Sequence, residues 1–227
     1  MPEFIFMLTK DDVTVEDALE VFEEVRDAGL QYVGFKDVGL SIAQLKELTD
    51  TIHNGGQEVM LEVVSERKED ELRSARAAVE LGVNYLLGGS HAQEVTEILD
   101  GTDIRYCPFP GRVVGHPSQL RGNAEEIVES ARRLSAMDSV QGLDLLAYRF
   151  DGDVGALVQA VVEAVEVPVI AAGSVDNERK IRSLADSGVW AFTVGSAIFE
   201  GKFAGDGAPV REQVERVLRV SRFQATS

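Results

Sequence analysis

Two charged residues stand where a strand should be apolar. Glu62 interrupts the run Val59-Met-Leu-Glu-Val-Val64, and Lys36 ends Gln31-Tyr-Val-Gly-Phe-Lys36. A charge inside a strand covered on both faces is costly unless it is paired. Burial would raise the Glu62 carboxyl toward the range of a general base. A lysine on a neighbouring strand end could pair with it, steady a developing oxyanion, or attack a carbonyl as an amine. The same two residues could equally form a structural ion pair that closes the mouth of the fold. Asp37 follows Lys36 directly and is expected to touch substrate. His116, in the long segment 108–122, could move protons near neutral pH. Arg112 in the same segment could grip a carboxylate or phosphate through two N–H groups. Asp144 lies inside Gly142-Leu-Asp-Leu-Leu-Ala147, as an acid or as an anchor for neighbouring backbone.

A second constellation lies near the C-terminus. Pro168-Val-Ile-Ala-Ala-Gly-Ser-Val-Asp176 and Trp190-Ala-Phe-Thr-Val-Gly-Ser-Ala-Ile198 are short apolar runs that each end in Gly-Ser. Gly173 and Gly195 permit a sharp turn and a close backbone approach. The N–H groups that follow such a turn suit a phosphate. Gly173, Ser174, Gly195 and Ser196 are therefore the candidate anion contacts.

These residues need a scaffold that gathers strand ends at one rim. Apolar runs alternate with helical stripes along the whole chain. Val15, Ala18, Leu19, Phe22 and Val25 share one face of a helix that Thr14 is expected to open and Asp17 to cap. Ser41 with Gln44 forms a capping box for the next helix. Several helices end in Gly and lead straight into a strand, as at Gly29, Gly82 and Gly188. Eight strand–helix alternations predict a single (β/α)8 barrel over residues 1–227, with an open doubly wound sheet as the other topology. In such a barrel, active groups collect at the C-terminal strand ends, and the loops after strands seven and eight often hold phosphate. Further polar residues at these junctions are Asp11, Asp12, Ser90, His91, Tyr148, Arg149 and Asp151. His53 falls in the last turn of a helix and reads as structural. Phe223–Ser227 are expected to fray.

Composition narrows the function classes. The chain has 227 residues, 39 acidic and 22 basic, for a formal charge of -17. A field of that sign repels nucleic acid. It also repels a phosphate at long range, so an anion site must supply local dipoles or a few cations. No apolar run is long enough for a membrane span. The N-terminus lacks a basic leader pattern, so a cytoplasmic location is expected. One cysteine, Cys107, rules out an internal disulfide and reads as a buried strand residue. Three dispersed histidines signal no zinc site, and neither metal nor cofactor is expected.

Ala171-Ala-Gly-Ser-Val-Asp176 and Phe192-Thr-Val-Gly-Ser-Ala-Ile198 resemble the closing motif of the ribulose-phosphate-binding barrels. That group includes N-acylmannosamine-6-phosphate epimerase, ribulose-phosphate epimerase, the phosphoribosyl isomerases of histidine synthesis and the tryptophan-synthase α barrel. The resemblance implies that Gly173, Ser174, Gly195 and Ser196 contact phosphate. The Asp-x-Lys-x-x-Asp pattern of the decarboxylase branch is missing, as is the histidine and aspartate metal set of ribulose-phosphate epimerase. The whole chain also resembles small bacterial barrels labelled 4-hydroxythreonine-4-phosphate dehydrogenase. It carries no Gly-x-Gly-x-x-Gly turn to match such an oxidation. The expected activity is isomerisation or epimerisation of a small phosphorylated sugar or sugar acid. Glu62 would be the base, Lys36 the oxyanion partner and His116 the group that returns the proton. Two alternatives stay open: an aldolase using Lys36 as a Schiff base, and a barrel that binds a phosphometabolite without turning it over. The expected partner is a small phosphorylated metabolite, with no nucleic acid and no membrane, and a homo-oligomer is compatible with the sequence.

Overall fold

The computed structural model describes residues 1–65, 67–115 and 117–222. Eight parallel strands form one sheet: β1 Glu3–Met7, β2 Tyr32–Lys36, β3 Glu58–Glu62, β4 Tyr85–Leu87, β5 Arg105–Cys107, β6 Leu143–Leu145, β7 Val169–Ala171 and β8 Ala191–Val194. The pairing order is β6-β7-β8-β1-β2-β3-β4-β5, so β8 meets β1 and the sheet curls round. Its two edges, β5 and β6, are linked by two backbone bonds. Gln141 N–H donates to the Tyr106 carbonyl at 3.0 Å, and Asp144 N–H to that of Pro108 at 3.0 Å. The result is a nearly closed barrel. Outside it run α1 Ala18–Val25, α2 Ile42–Asn54, α3 Lys68–Leu81, α4 Ala92–Leu99, α5 Ala124–Ser135, α6 Val154–Ala164, α7 Glu178–Ala185, the short α8 Ser196–Phe199, and α9 Val210–Arg222.

The pleat sorts the side chains. Successive residues of a strand point to opposite faces. Phe4, Phe6, Val33, Phe35, Val59 and Leu61 pack outward against the helices. Ile5, Met7, Tyr32 and Met60 fill the inside. The same alternation turns Lys36, Glu62 and Asp144 inward, and all three are buried. At the opposite end, Tyr32, Tyr85 and Trp190 pack ring against ring with centroids 5.4 to 6.2 Å apart. Arg105 lies over the Tyr85 ring at 4.7 Å and bonds Glu58 at 3.0 Å. Each such aromatic pair adds about 0.5–1.5 kcal/mol beyond area burial.

Some local signals hold and others do not: α1 ends at Val25 with Arg26 as its cap, short of Gly29. Ser41 and Gln44 form the expected capping box at α2, and Asn123 with Glu126 forms another at α5. Thr14 does not open a helix. It belongs to a small hairpin, Thr9–Lys10 with Val13–Thr14, and α1 begins at Ala18 with no side-chain cap from Asp17. A tertiary demand overrides the helix signal. Thr14 Oγ1 donates to the Lys36 carbonyl at 2.7 Å and accepts the Lys36 N–H at 2.9 Å, which fastens the hairpin to the end of β2. The segment after β5 contains a second hairpin, Arg112–Val114 with Gln119–Arg121. Phe223–Ser227, expected to fray, lie outside the described residues. Among those residues no helix is long and apolar enough to cross a membrane. Cys107 is buried, and burial pushes its thiol well above its ordinary pKa, as suits an inert core residue.

Candidate active site

A cavity of about 550 Å³ opens at the C-terminal mouth of the barrel. Both Gly-Ser corners line it: Gly173–Ser174 after β7 and Gly195–Ser196 after β8. Lys36, Glu62, Asp12 and Arg149 line it too. The candidate anion contacts and the candidate acid–base pair thus share one chamber.

The charged groups form a chain. Lys36 Nζ lies 2.7 Å from Asp12 Oδ1 and 3.5 Å from Glu62 Oε2. Burial works against the ammonium, but the charges of Glu62 and Asp12 outweigh it and hold the Lys36 pKa above its usual value. Burial likewise opposes the Asp12 carboxylate, yet Lys36 and Arg149 prevail and its pKa is lowered. Arg149 reaches Asp12 at 3.3 and 3.4 Å and donates to the Ser118 carbonyl at 3.1 Å. Behind them sits Asp144, fully buried, with no hydrogen-bond partner on either oxygen among the described residues. Burial, reinforced by the Glu62 charge, drives its pKa well above the ordinary carboxyl range. Asp144 is thereby biased toward its neutral form, next to groups that are charged.

Asp12 occupies a demanding position. Asp11 and Asp12 form the two-residue turn of the first hairpin, with φ of 52° and 62°. Such a turn needs left-handed backbone at both central residues and favours Asn-Gly. A carboxylate at Asp12 fits the turn less well than glycine would, but it bridges Lys36 and Arg149.

The corners are built from close backbone. Gly173 has φ 78° and Ser174 φ 52°, two consecutive left-handed residues. A side chain at Gly195 would bring Cβ to 2.7 Å from Thr9 Oγ1 and 2.8 Å from the Thr9 carbonyl oxygen. Ser196 Oγ accepts the Asp11 N–H at 3.0 Å, which leaves its own proton free to donate into the cavity. Gly195→Ala is expected to cost about 1–3 kcal/mol, because the Thr9 carbonyl cannot withdraw without moving the first hairpin. Urea unfolding would measure that loss, and phosphate-induced thermal stabilisation should fall in the same variant.

Of the residues singled out in the sequence, Lys36, Glu62, Gly173, Ser174, Gly195 and Ser196 meet at the cavity. Asp37 does not line it. As the neighbour of inward Lys36 it turns outward, where it accepts a hydrogen bond from Ser74 of α3. Arg112 is exposed on the second hairpin and also stands off the cavity wall. His116 lies outside the described residues. His91 occupies the cap position of α4 and its Nδ1 lies 2.7 Å from Glu71 Oε2. His53 bonds Asn84 at 2.8 Å. Asp12 and Arg149 acquire a role that the sequence marked only by their place after β1 and β6. Among the described residues no group of three or more His, Cys, Asp or Glu is arranged to hold a metal ion.

The family model described as histidine biosynthesis protein matches residues 151–204, the stretch that contains both Gly-Ser corners. A phosphoribosyl imidazole-carboxamide isomerase of Natronomonas pharaonis is 28% identical over 146 residues, which is 57% of this chain and 58% of that protein. The match thus spans little more than half of the relative. Phosphoribosylanthranilate isomerase of Thermotoga maritima superposes with a TM-score of 0.66 at 16% identity, covering 98% of this chain and 99% of that one. The chain is thus similar to the ribulose-phosphate-binding barrels over its closing corners and in its fold. Other barrels share its architecture. Orotidine 5'-phosphate decarboxylase of Pyrococcus horikoshii has a TM-score of 0.69 at 13% identity, over 97% of this chain and 100% of that one. Tryptophan synthase of M. tuberculosis has 0.71 at 12%, over 98% and 94%. At such identities the likeness is one of fold. In this chain the mouth of the barrel carries a run of linked charges, Arg149–Asp12–Lys36–Glu62.

Proposed function

We propose that this barrel is an isomerase or epimerase of a small phosphorylated sugar or sugar acid. The observation that carries the reading is that the Lys36–Glu62 pair and the two Gly-Ser corners line one cavity. The corners bind the phosphate. Glu62 takes a proton from the carbon beside a carbonyl, and the electron pair moves onto the carbonyl oxygen. The Lys36 ammonium, kept charged by its two carboxylates, stabilises the resulting enediolate. Return of the proton to the adjacent carbon gives isomerisation, and return to the opposite face of the same carbon gives epimerisation. The name of the Natronomonas relative and the family match over the corners lend support.

A Schiff base at Lys36 would need a neutral amine. The ammonium is held charged by Asp12 and Glu62, which favours proton transfer over the aldolase route. Borohydride added during turnover should leave Lys36 unmodified, and a trapped adduct there would replace the isomerase reading. The direct test is incubation in heavy water with a panel of phosphosugars and their unphosphorylated analogues, followed by NMR. Deuterium should enter a carbon next to the carbonyl of a phosphorylated member only. No exchange with any member, despite phosphate binding, would favour a non-catalytic binder.

A further inference from the structure

The cavity has a charge problem. Five carboxylate side chains line it, those of Asp11, Asp12, Glu62, Asp176 and Glu200, against two cations, Lys36 and Arg149. Lys180 and Lys202 offset Asp176 and Glu200 from outside the lining, at 2.9 and 3.7 Å, but Asp11, Asp12 and Glu62 still outnumber the two lining cations, so a phosphate gains from a cation released to it. Lys36 is not the one. It sits 2.7 Å from Asp12 with Glu62 on its other side.

Arg149 is held differently. Its bonds to Asp12 are 3.3 and 3.4 Å, beyond the usual N–H···O range, and weak for an ion pair. Its buried Nε has no hydrogen-bond partner among the described residues. The side chain leans on the β7 corner, because a one-turn 3-10 helix, Ala147–Arg149, swings the chain across the rim after β6. A Cβ on Gly173 would sit 2.5 Å from Arg149 Cγ and 3.4 Å from Nε. The stem of Arg149 therefore packs against Gly173, which holds its guanidinium fork at the β7 corner with the Nε donor unspent. That planar fork suits two phosphate oxygens.

Resting on the assignment of the Gly-Ser corners to phosphate, we infer that Arg149 is the charged half of that anion site and that Asp12 is its built-in competitor. In the ligand-free barrel Asp12 bridges Arg149 and Lys36. The phosphate group takes Arg149 from Asp12, and Asp12 is left wholly to Lys36. Arg149 thereby selects ligands that bear a phosphate, and Asp12 sets how tightly they bind.

Inorganic phosphate is the probe, measured by calorimetry and thermal shift at ionic strength held constant with chloride. Arg149→Gln should weaken binding by about tenfold to a hundredfold, the range for a lost charged hydrogen bond. Arg149→Lys, which keeps the charge but not the fork, should fall between. Asp12→Asn should tighten binding several-fold, and that gain should vanish in the Asp12→Asn/Arg149→Gln double variant. Circular dichroism confirms that each variant is folded. A structural role for Arg149 alone predicts no tightening in Asp12→Asn, so unchanged or weaker binding there overturns the competitor assignment. Phosphate binding that Gly195→Ala weakens but both Arg149 variants leave intact overturns the role of Arg149 and spares the corners. No phosphate binding by the wild-type barrel or by Asp12→Asn overturns both.

Discussion

Glu62→Gln is expected to lower turnover of the phosphorylated substrate by about 10²–10⁴-fold, the span of a general-base contribution. Phosphate affinity should stay close to that of the wild type. Glutamine keeps the shape and can still accept a hydrogen bond from Lys36, now 3.5 Å from the Glu62 carboxylate. It cannot take a proton from carbon. The loss should therefore fall on kcat and on heavy-water exchange in parallel, while KM moves little. A variant that loses affinity and turnover together would make Glu62 a binding group. One that keeps full exchange would remove it from the chemistry.

Asp144→Asn is expected to stabilise the barrel at neutral pH, by an amount that depends on pH. The folded state raises the Asp144 pKa well above its ordinary value, by burial first and the Glu62 charge second. Between the unfolded value near about 4 and the raised folded value, the folded chain holds a proton that the unfolded chain has released. The native state then binds more protons, so stability falls as pH rises through that window, by about 1.4 kcal/mol per pH unit. Asparagine carries no such proton. The two proteins should match in urea near pH 4, and the variant should gain steadily above it. A difference that stays flat with pH would mean that Asp144 is ionised in the fold. Glu62→Gln offers a cross-check. Without the Glu62 charge, Asp144 should ionise more readily, and the window over which its penalty grows should close at a lower pH.

Much of this site was legible because the pleat is strict. Lys36 and Glu62 sit in register on paired strands β2 and β3, and both break an apolar run, so an inward ion pair could be expected. The same rule, applied one residue further, would have turned Asp37 outward. It follows an inward residue and ends on Ser74. Arg112 has suitable chemistry on a long segment, but periodicity says nothing about where a hairpin arm will point. Asp12 is marked in the sequence only by its place after β1, because a helix signal masks the hairpin that carries it. Thr14 and Asp17 look like caps, yet the hairpin they border is fixed by hydrogen bonds to Lys36 that no local pattern encodes. Arg149 needed the position of Gly173 in space, twenty-odd residues away in sequence and directly beneath its stem. The Gly-Ser corners were the clearest signal, since a tight turn after a buried strand leaves few residue choices.

The stacked rings of Tyr32, Tyr85 and Trp190 give the barrel a floor. Nothing can pass straight through. In the proposed reaction a product would depart by the doorway its precursor used, past two hairpins that Arg149 ties together through Asp12 and Ser118. Departure and the next arrival would then compete for one threshold, and the pace of the proposed cycle could be set there rather than by the proton transfer itself.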